Sequence, residues 1–465
     1  MKKGQLSAGS LEIEFEGGLS KEVTAHAGAA LWIETVRRSG VITAVDRLFP
    51  GKKNPKGLTH GQMVESLVLL SALAGECPDD LQTLRQDRGL EAMLGFKLPA
   101  PSTVRAWLDK FHDTAAMAAR PSQGSFIPRE SAHLAGLREV LRQAVRAYIA
   151  VIATSRQATL DVDAHLVESS KREARATYEG YRGFQPMIVT WGETGLILAD
   201  QFRDGNVPAS KDTAKVVDDA YDALPSRSDG WDVRVRSDSA AYEEPVLAHW
   251  VERGWKFAVS ADMTPQLRQE IERVKIEEWH MWKVEERGFV REWAEVAYTP
   301  SRKAEKRNLQ PYRFLAIRIR SPQGVLFSDG AGVKLFAVVT NDWEMGGREL
   351  LEWHRGKAGT VEHTHRWLKD ELAAGVYPSG KFGANAAWLR LQALTSNLFL
   401  LFRVTALDEQ YRNARPKRIR FAIFNHVAQV VRRAGQTLMQ VYRDLLERVI
   451  GPGLRRLRSA PWQAA

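Results

Sequence analysis

The chain has 465 residues, 44% hydrophobic and 26% charged, a composition that excludes a disordered or fibrous protein and leaves room for about three domains. Lys and Arg number 66 against 56 Asp and Glu, so the partner expected is an acidic polymer or surface. Cys77 is the only cysteine, which excludes an internal disulfide and any multi-cysteine zinc site and suits a reducing compartment.

After a short N-terminal arm, the span from about 25 to 141 reads as mostly helical. Its longest apolar stretch, about 63–74, is interrupted by Glu65 and Ser66 and is too short to cross a bilayer. The first residues lack the apolar core of a signal peptide. The expectation is a cytoplasmic protein with no membrane partner. From Pro101-Ser102 onward, Val104, Trp107, Leu108 and Phe111 recur at helical spacing, with Ser102 as the expected N-cap. This helix, with Thr103, Arg105 and Lys110 pointing away from the apolar stripe, suits a DNA-reading element or, equally, a bundle helix.

From about 150 the pattern changes to strands. In Thr159-Leu160-Asp161-Val162-Asp163-Ala164-His165 the apolar side chains alternate with Asp161, Asp163 and His165, so two carboxylates leave one face of a strand together. Strands are expected at 186–191 and 196–202, then a helix at 210–224. The run Trp231-Asp232-Val233-Arg234-Val235-Arg236-Ser237-Asp238 repeats the alternation and ends on another acid. A helix near 242–253 and a strand at 256–260 follow, and strands interleaved with helices predict a mixed α/β sheet with crossovers. Each strand-end aspartate taken alone is more readily a solvated turn residue.

The β-rich runs 290–298, 312–320 and 334–340 predict an inserted β-subdomain. Trp279, Trp282 and Trp293 stand there among Arg and Lys, a mixture that stacks bases and holds phosphates or packs a small sheet. The span 348–372 reads as helical, weakened by Gly356 and Gly359. On it Glu362 shares a face with Arg366 and Lys369, and with Arg355 if the helix is continuous. The tail from 411 to 465 carries a large excess of Arg and Lys over acids, a balance that favours phosphate contact over a merely solvated face.

Clustered carboxylates repel one another unless a cation lies between them, and hard oxygen ligands favour Mg²⁺ or Mn²⁺. Two such ions roughly 3.5–4 Å apart stabilise both the attacking and the leaving oxygen of a phosphoryl displacement. The pattern therefore points to a metal-dependent nuclease.

Four segments resemble bacterial insertion-sequence transposases of the DDE type, in the branch whose ribonuclease-H-like fold carries a β-rich insertion. They are Leu160-Asp161-Val162-Asp163-Ala164 with Tyr178-Glu179-Gly180-Tyr181-Arg182-Gly183-Phe184-Gln185-Pro186; Phe202-Arg203-Asp204-Gly205-Asn206-Val207; Arg236-Ser237-Asp238-Ser239-Ala240; and Gly359-Thr360-Val361-Glu362-His363 through Leu368-Lys369 to Phe382-Gly383-Ala384-Asn385-Ala386-Ala387-Trp388. The resemblance implies an α+β or α/β chain: a helical DNA-end-binding domain at 1–149, a ribonuclease-H-like domain at 150–262 and 346–405, the insertion at 263–345, and a basic helical region at 406–465.

By the same resemblance Asp163, Asp238 and Glu362 form the catalytic, metal-holding triad, with Asp161 the alternative first acid. The implied cofactor is two Mg²⁺ or Mn²⁺ ions. Lys369, seven residues past Glu362, is the phosphate-contacting lysine. Arg366, Arg355, Lys357, Arg105, Lys110 and Trp293 are the further DNA-binding candidates. The family places a Tyr and an Arg before the Glu; here those positions hold Arg355 and Ala358, and His354 and Lys357 replace them only if one residue is inserted. The implied partners are terminal inverted repeats, target DNA and a second copy in a synaptic homodimer. The implied location is the prokaryotic cytoplasm, at the nucleoid. The implied activity is cleavage of transposon ends and joining of the freed 3′-hydroxyl to target DNA. The rival readings are a DNA-binding protein that kept the fold without catalysis, and a ribonuclease-H-like nuclease without strand transfer.

Overall fold

A computed structural model describes residues 22–52, 56–226, 230–299, 312–322, 327, 331–434 and 436–462. Nearly all of the expected N-terminal arm lies outside the described residues. The N-terminal region is helical, as expected: α1 (Ala29–Arg38), α2 (Val41–Leu48), α3 (His60–Ala72), α4 (Pro101–Leu108) and α5 (Ala132–Val151) are its main elements. Thr59 and Gln62 start α3 with a reciprocal capping box. The apolar stretch suspected as too short for a bilayer becomes α3, buried on all sides, and its Glu65 is held by Arg37 at 2.6 Å. No helix among the described residues is long and apolar enough to cross a membrane.

Pro101, whose fixed φ suits the first helical position, opens α4, so Ala100 stands at the N-cap and Ser102 is the second residue of the helix. The expected stripe is real: Val104, Trp107, Leu108 and Phe111 are all buried. Trp107 stacks on Phe49, meets the edge of Phe111 and donates to His60 Nδ1 at 2.8 Å.

Among the described residues nine strands form one mixed sheet. In chain order they are β1 (Gln157–Ala164), β2 (Met187–Trp191), β3 (Leu196–Gln201), β4 (Asp232–Ser237), β5 (Lys256–Ala261), β6 (His280–Val284), β7 (Val290–Val296), β8 (Arg313–Arg320) and β9 (Val333–Thr340). Across the sheet the order is β6-β7-β8-β9-β5-β4-β1-β2-β3. β1, β2 and β3 are antiparallel neighbours, whereas β4 and β5 run parallel to β1. The crossovers to the parallel strands are α6 (Thr213–Tyr221) and α7 (Glu244–Glu252). This is the ribonuclease-H-like mixed sheet that the resemblance implied. The inserted strands extend it edge-on, because β9 pairs antiparallel with β5 and β8, β7 and β6 follow. β6, which alternation had not revealed, is the exposed edge strand of that extension.

After the insertion come α8 (Gly347–Arg355), a tight 3₁₀ turn at Gly356–Gly359, α9 (Val361–Glu371) and α10 (Phe382–Thr405). The helical span expected over 348–372, weakened by its glycines, is therefore two helices. Buried α10 packs against β3 on one side and α1, α3 and α5 on the other, so the N-terminal helices and the sheet share one core. Two buried polar ties fix it there. Asn397 accepts from the Ile197 N–H and donates to its carbonyl, each at 2.8 Å, beside a bulge between β2 and β3. Arg390 reaches Asp200 at 2.8 Å and Glu130 at 2.7 Å.

The C-terminal tail adds to its short helices a hairpin of Ala428–Arg433 and Gln436–Gln440, on whose first strand Val23–Thr24 pairs. Several of its cations are already engaged: Arg420 donates to the carbonyls of Ser71, Ala72 and Glu371, Arg415 pairs with Glu371, and Arg456 with Asp408.

Candidate active site

The parallel register pairs Asp161 on β1 with Arg236 on β4. Two residues further along, where both strands run out, Asp163 and Asp238 stand level at the carboxyl edge of neighbouring strands. That edge is where α/β sheets place their ligands, because side chains and loops there are not consumed by the ladder.

Asp161 and Asp163 share a strand face and have unlike surroundings. Asp161 is fully buried. Arg236 donates to its two oxygens at 2.6 and 2.8 Å, and the Thr360 hydroxyl donates to one of them. Arg236 also donates to the Trp353 carbonyl, which brings the guanidinium against the backbone of Gly356. A Cβ there would lie 2.5 Å from Arg236 Nη1, so glycine is required for that approach. The break between α8 and α9 follows from these contacts: Thr360 leaves helical geometry at φ −113° and ψ −82°, and its hydroxyl turns down onto the strand.

Asp163 keeps some solvent access. Lys357 Nζ donates to its Oδ1 at 2.9 Å, and His365 Nε2 lies 3.2 Å from Oδ2. Burial works to raise the Asp163 pKa, but His365 and Lys357 outweigh it and pull it down to about 2. The His365 ring lies 5.3 Å from that of His165. Burial, with the charges of His365 and Lys369, lowers the His165 pKa.

Asp238 is exposed and accepts from the Ala240 N–H at 3.1 Å, capping a short turn. Behind it, His354 Nε2 lies 3.1 Å from the Ser237 carbonyl. Burial, with the charges of Lys357 and Arg236, brings the His354 pKa down to about 4 although the Ser237 contact opposes it.

Glu362 opens α9 but faces solvent, as do Arg366 and Lys369 on the same helix face. His365, one turn on from Glu362, is the α9 side chain that reaches Asp163. Arg355 lies over the Trp282 ring at 5.4 Å. Trp293 is packed beneath Gly347 and beside His280. Arg105 is exposed and paired with Asp79, and exposed Lys110 lies on the rim of a pocket with Lys52 and Lys56.

Sequence reasoning missed three residues: His365, Thr360 and Arg236 as the partner of Asp161. Arg236 carried a usable signal, since it shares the outward face of its strand with Asp238. Nothing local marks the other two. The motif arginine Arg203 is buried, donating to the Gln185 carbonyl at 3.0 Å and the Lys211 carbonyl at 2.9 Å, while a Cβ on motif residue Gly383 would lie 2.3 Å from the Phe111 carbonyl oxygen. Those motif positions hold the scaffold.

The donor chemistry for a divalent ion is only partly assembled. Asp163 and Asp238 offer hard oxygens on adjacent strands, but the oxygens of Asp161 are taken by Arg236 and Thr360, and Glu362 is turned outward. Among the described residues no group of three or more His, Cys, Asp or Glu side chains is gathered closely enough to hold a metal. The arrangement as it stands does not form a complete cage.

The family model described as transposase DDE domain group 1 matches residues 3–456. The chain belongs to that transposase family. No curated protein matches it. Among solved structures, this DDE-family chain is similar to a piggyBac transposase in a cryo-electron-microscopy synaptic complex with hairpin DNA, at 8% identity and a TM-score of 0.45, over 84% of this chain and 79% of that one.

Proposed function

We propose that this DDE-family transposase cleaves DNA at terminal inverted repeats and joins the freed 3′-hydroxyl to target DNA by metal-dependent phosphoryl transfer. The supporting observation is the level placement of Asp163 and Asp238 at the ends of adjacent parallel strands. With Glu362 they are the residues that would hold two Mg²⁺ or Mn²⁺ ions, which in such a site supply charge stabilisation to an in-line displacement. Asp163 is the first acid in this reading, because Arg236 and Thr360 already use the oxygens of Asp161. Glu362 must then turn inward on α9 when DNA is present.

Lys369, Arg366 and Lys357 would meet phosphates near the cut. Arg105 and Lys110 would contact the transposon end from the N-terminal helices, and two copies would pair two ends. Arg355, over Trp282 of the insertion, and Trp293 within it would act only at the insertion's surface.

Labelled terminal-repeat DNA mixed with the full chain and Mg²⁺ tests the proposal. Cleavage that disappears in Asp238→Ala while binding persists supports it. Binding without cleavage would favour the rival suggested by the outward Glu362, a DNA-binding protein without catalysis. Cleavage without a joined donor–target product would leave a nuclease.

A further inference from the structure

The segment before α4 carries side chains that no role assigned above uses. Helical turns run from Pro78 through Gln86, and Leu81 and Leu84 bury one side of them. Gln82, Arg85 and Gln86, at i, i+3 and i+4, share a second, outward side. With Arg88, Glu91 and Lys97 they line an open hollow of about 540 Å³. Its acid is already engaged: Glu91 accepts from Arg88 at 2.6 Å and from the Leu98 N–H at 3.3 Å. The side chains of Gln82, Arg85, Gln86 and Lys97 make no hydrogen bond or ion pair among the described residues. The segment is also fixed at both ends. The Asp80 carboxylate accepts from the Glu76 and Cys77 N–H groups at 2.7 and 3.1 Å, and that of Asp87 from the Leu90 N–H and the Thr24 hydroxyl, each at 2.7 Å. Unspent donors and acceptors thus stand on a rigid support, which lowers the ordering cost of binding.

The residue types select a ligand. A Gln amide offers a donor beside an acceptor, matching N6 and N7 of adenine, and the Arg fork matches O6 and N7 of guanine. We infer that this hollow reads base edges of the DNA duplex held by the N-terminal helices, with Gln82, Arg85 and Gln86 setting its sequence preference. α4 does the complementary work. Its neighbour Lys110 shares a pocket with Lys52 and Lys56 that no acid lines, and lysines are point charges suited to phosphates, whose contacts fix register without reading sequence. Arg105, paired with Asp79, ties α4 to the start of the reading segment. This rests on the proposal that the chain recognises transposon ends, and it moves the reading of bases off the helix that the sequence had suggested for it.

The test is selection of bound duplexes from a randomised DNA pool by the full chain in EDTA, with anisotropy titrations of the selected sequence and a thermal melt of every variant. Wild type is expected to enrich one motif. Arg85→Ala is expected to lose preference at a guanine position, and Gln82→Ala and Gln86→Ala at adenine positions, each by about tenfold, the order of one bidentate base contact. Arg85→Lys keeps the charge and breaks the fork, so it is expected to lose the same preference with the salt dependence retained; it also serves should Arg85→Ala fail to fold. Lys110→Ala is expected to weaken all sequences alike and to lower the salt slope by about one. The full wild-type motif in all three alanine variants overturns the inference and leaves end recognition standing. Full preference in Arg85→Lys with loss in Arg85→Ala reduces the contact to a charge and overturns it too. A wild-type chain that enriches no motif defeats end recognition itself, and the reading hollow with it.

Discussion

Arg236 grips both oxygens of Asp161, at 2.6 and 2.8 Å, two residues before β1 and β4 end at the candidate acids. The pair locks the two strands in register and carries the turn between α8 and α9 on its outer side. It aligns the site without taking part in it.

Breaking that pair leaves a buried charge unmatched, so Arg236→Met is expected to lower stability by about 3–5 kcal/mol. Urea unfolding measures it. Asp161→Asn is expected to destabilise the fold as well and to leave divalent-ion affinity in place; a stable Asp161→Asn protein that has lost its ions would make Asp161 a ligand.

Gly356→Ala places a methyl group 2.5 Å from a guanidinium that cannot retreat. The expected loss is about 1–3 kcal/mol, as for other overpacked sites. A differential melt against Gly359→Ala, where a Cβ meets nothing within 4 Å, isolates the steric effect.

Asn397→Leu keeps the bulk of the side chain but strands the N–H and carbonyl of Ile197 in the core. Each buried unsatisfied group costs about 1–3 kcal/mol, so the variant should be among the least stable single substitutions in α10. A variant as stable as wild type in urea would contradict this account.

Two histidines predict a pH dependence. Burial brings both His60 and His354 from 6.5 down to about 4. The unfolded chain therefore binds more protons between those values, and stability present above pH 6.5 is lost as pH falls toward 4. Replacing His354 with Gln should flatten part of that slope in denaturant titrations at stepped pH. An unaltered slope would show that His354 is protonated without cost.

DNA binding should weaken steeply with salt, with a log–log slope of about −0.9 per neutralised phosphate. Because Arg415, Arg420 and Arg456 are engaged within the protein, neutralising exposed Arg433 should reduce the slope, whereas neutralising Arg420 should chiefly lower stability. Anisotropy titrations across a salt series distinguish the two.

The strands leading to Asp163 and Asp238 were legible because each alternates apolar and polar residues in sequence, and their ends fell within a residue or two of expectation; that both faces of β1 are buried from Ala158 to Val162 was not. The stripe on α4 was legible for the same reason. β6 was not, since an edge strand facing water on most positions has no alternation to show. The helix break at 356–360 was only hinted at by its glycines, because its cause is an arginine more than a hundred residues earlier.

Local order thus determined most of the strands and helices, which faces are apolar, and that acids end two of the strands. It left Asp161 and Asp163 equivalent, two carboxylates on one face of one strand. Only the tertiary structure separated them. Arg236 on the neighbouring strand and Thr360 beyond the insertion close over Asp161, while Asp163 keeps some solvent access beside Lys357 and His365. That distinction is electrostatic and nonlocal, set by charges the folded sheet brings within 3 Å.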